Sequence, residues 1–152
     1  MRLSENLTLK EVIKSQTATS HGLSNEPKIE HLESLRAIAQ NIFQPVRKRF
    51  GVPIAVTSGY RSEELNRILR GSTTSQHCKG QALDLDADVY GGVTNAEIFN
   101  FILDHLEFDQ LIWEFGTNEN PAWVHVSYNK GKNRGEVLRA IKVNGKTKYE
   151  KI

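Results

Sequence analysis

Hydrophobic positions along this chain change period several times, and each change marks an expected element. Between residues 28 and 50, Ile29, Leu32, Leu35, Ile38, Ala39, Ile42, Phe43 and Val46 recur at spacings of three and four, the repeat of a long amphipathic helix. Pro45 falls inside that run, where it lacks an amide and crowds the preceding turn, so the helix is expected to end or kink there. Upstream, Thr8 precedes LKEVIKS with Glu11 three residues on, a capping box that predicts a short helix. The stretch SQTATSHGLSNEP at 15–27 has a linker-like composition, but too little chain precedes it to form a domain, and it reads as an ordered loop.

From residue 53 the apolar period shortens. PIAVTSG is β-branched and alternating, a strand ending at Gly59. SEELNRILRG then reads as a polar helix with Ser62 as N-cap and Gly71 as C-cap. QALDLDA sets Asp84 and Asp86 among Ala82, Leu83 and Leu85, which predicts a strand with one wet face. Thr94 opens the helix NAEIFNFILDHL, whose expected apolar face is Ile98, Phe101, Ile102 and Leu106. FDQLIWEF and AWVHVSY form two strands around GTNENP, read as a hairpin, and EVLRAIKV and KTKYEKI flank Asn144-Gly145, the strongest turn signal in the chain. Helices first and short strands later predict an α+β fold: one domain over 1–152, a small mainly antiparallel sheet with helices packed on it.

Composition narrows the function classes. With 20 Lys+Arg against 18 Asp+Glu the charge is nearly balanced, and only the tail from Lys130 to Lys151 clusters basic residues, so a nucleic-acid partner is not expected. The lone cysteine, Cys78, excludes an intramolecular disulfide. No segment reaches the length of a membrane span, and MRLSENLTLKEVIKSQ contains no apolar run of the export-signal type; the expectation is a chain made in the cytoplasm. Oligomerisation has no sequence signal, and a monomer is the default.

Candidate chemistry gathers around SQHCKGQALD at 75–84 and WVHVS at 123–127. His21 lies in a polar stretch, His31 on the wet side of the long helix and His105 near a helix C-terminus, all ordinary settings for solvated or capping histidines. His77 and His125 sit beside small or apolar residues at strand edges, and Asp84 follows His77 across a short loop. Catalytic zinc takes three protein ligands from His, Asp and Glu and keeps a position open. On spacing alone, H-x6-D is a loose pattern that leaves core and loop histidines equally open.

Read as S-x-H-x-x-G-x-A-x-D, residues Ser75, His77, Gly80, Ala82 and Asp84 resemble the zinc motif of the M15-type peptidases, the D-alanyl-D-alanine carboxypeptidase and L-alanyl-D-glutamate endopeptidase family. VTSGYRSEELN at 56–66, TLKEVIKSQTAT, the long helix and WVHVSY are similar to the branch that includes phage endolysins, over roughly residues 7–130. The resemblance implies a hedgehog or DD-peptidase type of fold, one Zn2+ held by His77, Asp84 and His125, and Ser75 and Arg61 on the substrate, with Arg61 polarising the scissile carbonyl. It also implies that Gly80 shapes the turn between two ligands. The implied activity is hydrolysis of an amide bond in peptidoglycan stem peptides, by a carboxypeptidase or an endopeptidase, at the cell wall after phage-type release.

One departure stands out. Many members of the family place a carboxylate three residues before the last histidine, and here that position is Ala122. Glu114 in LIWEFG is the first candidate for the general base, since the hairpin over 108–128 brings it alongside His125 and an apolar setting raises a carboxyl pKa. Glu119 in the connecting loop is the second. Asp86 shares a strand face with Asp84 and is an optional orienting partner for a ligand; Cys78, adjacent to His77, is a poor one. The vacancy at Ala122 also leaves a second reading, a wall-binding module of the same fold whose chemistry has lapsed.

Overall fold

A computed structural model describes residues 1–152. The chain opens with a small antiparallel ribbon, β1 (Arg2–Ser4) and β2 (Leu7–Thr8), and turns into α1 (Leu9–Ile13). Thr8 forms the expected capping box, its amide donating to Glu11 Oε2 at 2.7 Å while its hydroxyl accepts the Glu11 amide. The segment expected to be loop instead contains a second short helix, α2 (Gln16–Ser20), because Ser15 caps it and Ala18 gives it a buried contact. Beyond it, Asn25 ties the chain down: its amide donates to the carbonyls of Ile13 and Tyr60, and its oxygen accepts the Ser62 amide.

The long amphipathic run is helical throughout but in three pieces: α3 (Ile29–Ile38), a π-helical turn (Ala39–Phe43) and α4 (Gln44–Phe50). Pro45 therefore does not end the helix. The widened turn, in which the Gln44 amide reaches back to the Ala39 carbonyl, absorbs the missing amide and the ring. Leu35, Ile38, Ala39, Ile42, Phe43 and Val46 are buried as the periodicity requires, while Ile29 is exposed. His31 is not on a wet face; its ring packs against Tyr60 with centroids 5.1 Å apart.

Six strands form the sheet: β3 (Ala55–Ser58), β4 (Ala82–Asp86), β5 (Gln110–Glu114), β6 (Trp123–Ser127), β7 (Glu136–Val143) and β8 (Lys146–Lys151), in the order β3-β4-β6-β5-β7-β8. Every pairing is antiparallel except β5 with β7, which is parallel. Both expected hairpins, β5–β6 and β7–β8, are present. The return of β7 to the far side of β5 is clamped by Arg134, whose amide and guanidinium bind the buried carboxylate of Asp109 at 2.9 and 2.8 Å. One face of the sheet, with Leu83, Leu85, Leu111, Trp113, Val124 and Val126, joins the helices in a single core. Among those helices is α6 (Asn95–His105), started by a Thr94 capping box. Its buried aromatic is Phe99, edge-to-face on Trp113 at 5.1 Å, whereas the expected Phe101 and Leu106 are only half-buried.

Between β3 and β4 the chain carries α5 (Glu63–Ile68), capped by Ser62 as expected, and a 3-10 turn (Gln76–Lys79). Gly71 is not the left-handed C-cap; Arg70 takes that conformation at φ 58°. Gly71 is needed for space instead, since a Cβ there would stand 2.1 Å from Asn66 Oδ1. Gly80 does close the 3-10 turn, at φ 71°, and a Cβ would meet the His31 carbonyl at 2.6 Å. Replacing Gly80 with Ala combines a left-handed penalty with that clash, and a loss of at least about 2 kcal/mol is expected in a denaturant titration. A midpoint unchanged from the parent would show that the turn tolerates a side chain.

Candidate functional site

The face of the sheet turned away from the helices carries the polar residues. Asp84 and His125 are directly opposed across β4 and β6, so both side chains project from that face. The expected wet strand face does not exist: Asp84 is only 9% exposed and lies at the bottom of a cleft of about 740 Å³. His125 Nδ1 is 3.0 Å from Asp84 Oδ1. His77 arrives from the 3-10 turn, its amide held by Ser75 Oγ at 3.2 Å. Its Nδ1 donates to the Gly59 carbonyl at 2.7 Å, which leaves Nε2 facing Asp84 Oδ1 at 3.4 Å.

These three residues each offer a ligand atom, and the atoms lie within 4.8 Å of one another. Two imidazoles and a carboxylate, with one imidazole fixed by a backbone carbonyl, match the donors and the outer support that catalytic zinc uses. The donor set therefore fits one divalent ion of the zinc class. Burial by itself would raise the Asp84 pKa; the neighbouring His77 and His125 outweigh it by charge and hydrogen bonding and hold the carboxyl well below its usual range.

Arg61 and Glu114 both line the same cleft. Arg61 leaves the loop after β3, its amide bound to the His77 carbonyl at 3.1 Å, its guanidinium to Ser58 Oγ at 3.1 Å, and NH2 3.8 Å from Asp84 Oδ2. Ser75 reaches the cleft as well, though its hydroxyl also caps the 3-10 turn. Glu114 ends β5 on the same face as Ile112, which pairs with His125. It is only 7% exposed, and burial pushes its carboxyl up to about 7, with the charge of His125 opposing and that of Asp84 adding to the rise.

The other candidates fall away from the cleft. Glu119 is an exposed loop residue, and Cys78 lies outside the donor cluster. Asp86 does not orient a ligand: its Oδ1 accepts from the Asp88 amide and from Asn95 Nδ2. His21 and His105 are exposed, as their settings implied. Beside Phe115, the cleft is lined by the unforeseen Trp123, Lys142, Thr147 and Tyr149. The three last come from β7 and β8, and nothing short of the β5–β7 pairing could have placed them there.

A family model described as Peptidase M15 matches residues 5–127, a span that takes in all three donors, Arg61, Ser75 and Glu114. No curated protein matches the chain.

A raised carboxyl pKa has a signed consequence. Below about 4.5 Glu114 is protonated folded and unfolded alike, whereas above about 7 the folded state must ionise a buried group that the unfolded state ionises freely. In the metal-free protein Glu114→Gln is therefore neutral at pH 4 and stabilising at pH 8, by roughly 1–3 kcal/mol. Urea titrations at the two pH values check this; an equal effect at both contradicts it.

Proposed function

The chain belongs to the peptidase M15 family, and we propose that it is a zinc-dependent peptidase acting on amide bonds of peptidoglycan stem peptides. The family and the donor set both point to a metallopeptidase. The observation that carries the finer reading is convergence: three metal donors, a cation and a carboxyl of near-neutral pKa share one cleft.

His77, Asp84 and His125 would hold the ion. Bound there, zinc supplies Lewis acidity, polarising the scissile carbonyl and making water acidic enough to attack at neutral pH. Glu114 accepts the proton that the attacking water loses and returns it to the amine as the carbon–nitrogen bond breaks; a pKa near 7 suits both transfers. Arg61 donates to the carbonyl oxygen as that atom gains negative charge. Ser75, at the cleft wall beside His77, hydrogen-bonds the substrate backbone. In this reading the partner is peptidoglycan, and the chain works at the cell wall after release from a lysing cell.

A lapsed wall-binding module is the competing reading, and Ala122 is its support. Against it, the Ala122 amide donates to the Glu114 carbonyl at 2.8 Å, so the vacated position has Glu114 as its strand neighbour, and Glu114 lines the cleft. Its burial matches a group kept for chemistry better than one kept for solubility.

Two measurements separate the readings: zinc content, and mass spectrometry of digested wall fragments. His77→Ala is expected to lose both zinc and turnover. Glu114→Gln is expected to keep zinc and to lose a factor of about 10²–10⁴ in turnover. Wall cleavage that persists after a strong chelator, or a Glu114→Gln protein with full turnover, contradicts the mechanism.

A further inference from the structure

The cleft floor continues past the metal donors. β7 and β8, which lie beyond the family match, extend the same face of the sheet. Leu138 stands beside Ile112 and Ala140 beside Glu114, and the next strand sets Tyr149 beside Ala140 and Thr147 beside Lys142. Ala140 is fully buried yet lies outside the helix-side core, so the cleft-face side chains around it close over its methyl group. Ala140 is the small residue between Glu114 and the half-exposed Tyr149 on this face; burial raises the Tyr149 phenol above its usual range, and the charges of Glu114 and Asp84 add to the rise.

Charges along this wall are unequally matched. Arg134 is bound to Asp109 at 2.8 Å and stands 3.7 Å from Glu136; Arg61 has Asp84. Lys142 instead donates to Thr147 Oγ1 at 3.1 Å and stands 5.3 Å from the centre of the Phe115 ring. It is the lysine or arginine of the cleft that no carboxylate of the chain neutralises. Phe115 is itself held at φ 54°, a left-handed conformation costly for an aromatic residue, by the bond from its amide to the Ala140 carbonyl at 3.0 Å. Its ring meets Trp123 at 5.4 Å, so backbone strain and an unmatched cation converge on one aromatic-walled end of the cleft.

We propose that this end is a substrate subsite for a peptide residue bearing a free carboxylate on a short aliphatic arm, with Lys142 as counter-ion and Phe115, Trp123 and Tyr149 as its walls. The aromatic rings take the aliphatic arm, and the ammonium, already poised by Thr147, takes the carboxylate as a charge-assisted hydrogen bond. The proposal rests on the peptidase reading for its substrate class, but not for its chemistry of recognition.

The test is equilibrium binding of L-alanyl-D-glutamyl-L-lysyl-D-alanyl-D-alaninamide, with its glutamyl carboxyl free or converted to carboxamide, to the zinc-loaded full chain carrying Glu114→Gln. The free acid is expected to bind about fivefold or more tightly than the amide. Adding Lys142→Met should bring that ratio towards one, and Lys142→Arg should preserve it. A ratio of one in the Glu114→Gln protein, a ratio untouched by Lys142→Met, or no binding of the free acid at millimolar concentration overturns the subsite. Turnover of the same peptide by the unsubstituted chain is read separately by mass spectrometry. Discrimination without turnover would sink the peptidase reading and keep the subsite; turnover without discrimination would do the reverse.

Discussion

The structure depends on one register, the antiparallel pairing that sets Asp84 directly across from His125. A slip of one residue in β4 against β6 would turn Asp84 into the core, away from His125, and bring Leu83 and Leu85 out to the cleft. The apolar face guards against this. Leu83, Leu85, Val124 and Val126 are all fully buried under the helices, so the same pairing that packs the core also positions two residues of the candidate metal site. His77 completes the set from outside the sheet, its ring fixed by the Gly59 carbonyl and its loop by Gly80.

Burying a carboxylate is costly unless it is paired and hydrogen-bonded. Asp84 meets that condition through two imidazoles and Arg61, all within 3.8 Å. Glu114 does not meet it, and its carboxyl shifts towards neutrality instead. The two acids share one cleft and have opposite environments: one is held ionised by two imidazoles, the other is left able to exchange a proton near pH 7. That contrast is what a hydrolytic site needs, and it costs the fold some stability at Glu114. Rigid polar clamps around the cleft offset such costs, among them Asn25 at the loop before α3, Asn95 against Asp86 and Ala122, and Arg134 on Asp109.

Much of this was legible in the chain. The capping box at Thr8, the helix start at Thr94, the helical repeat from 28 to 50 and the turn at Asn144-Gly145 are local signals, and each produced its element. His77, Asp84 and His125 were picked out by a motif, and the fold brings their ligand atoms within 4.8 Å of one another. What local sequence could not convey was tertiary. Asp84 and Asp86 alternate with leucines as solvent-facing residues do, yet the cleft walls cover Asp84. Pro45 breaks an isolated helix, but a π turn within a packed helix accommodates it. The parallel joining of β7 to β5 spans a long connection, and with it Lys142 and Tyr149 enter the cleft unannounced.

Whether His77, Asp84 and His125 bind zinc can be read from anomalous scattering at the zinc edge, in crystals of the unsubstituted protein grown with zinc. One strong peak is expected, at about 2.0–2.2 Å from His77 Nε2, His125 Nδ1 and an oxygen of Asp84. A cleft without a peak, or a peak held by other residues while these three remain hydrogen-bonded to one another, would contradict it.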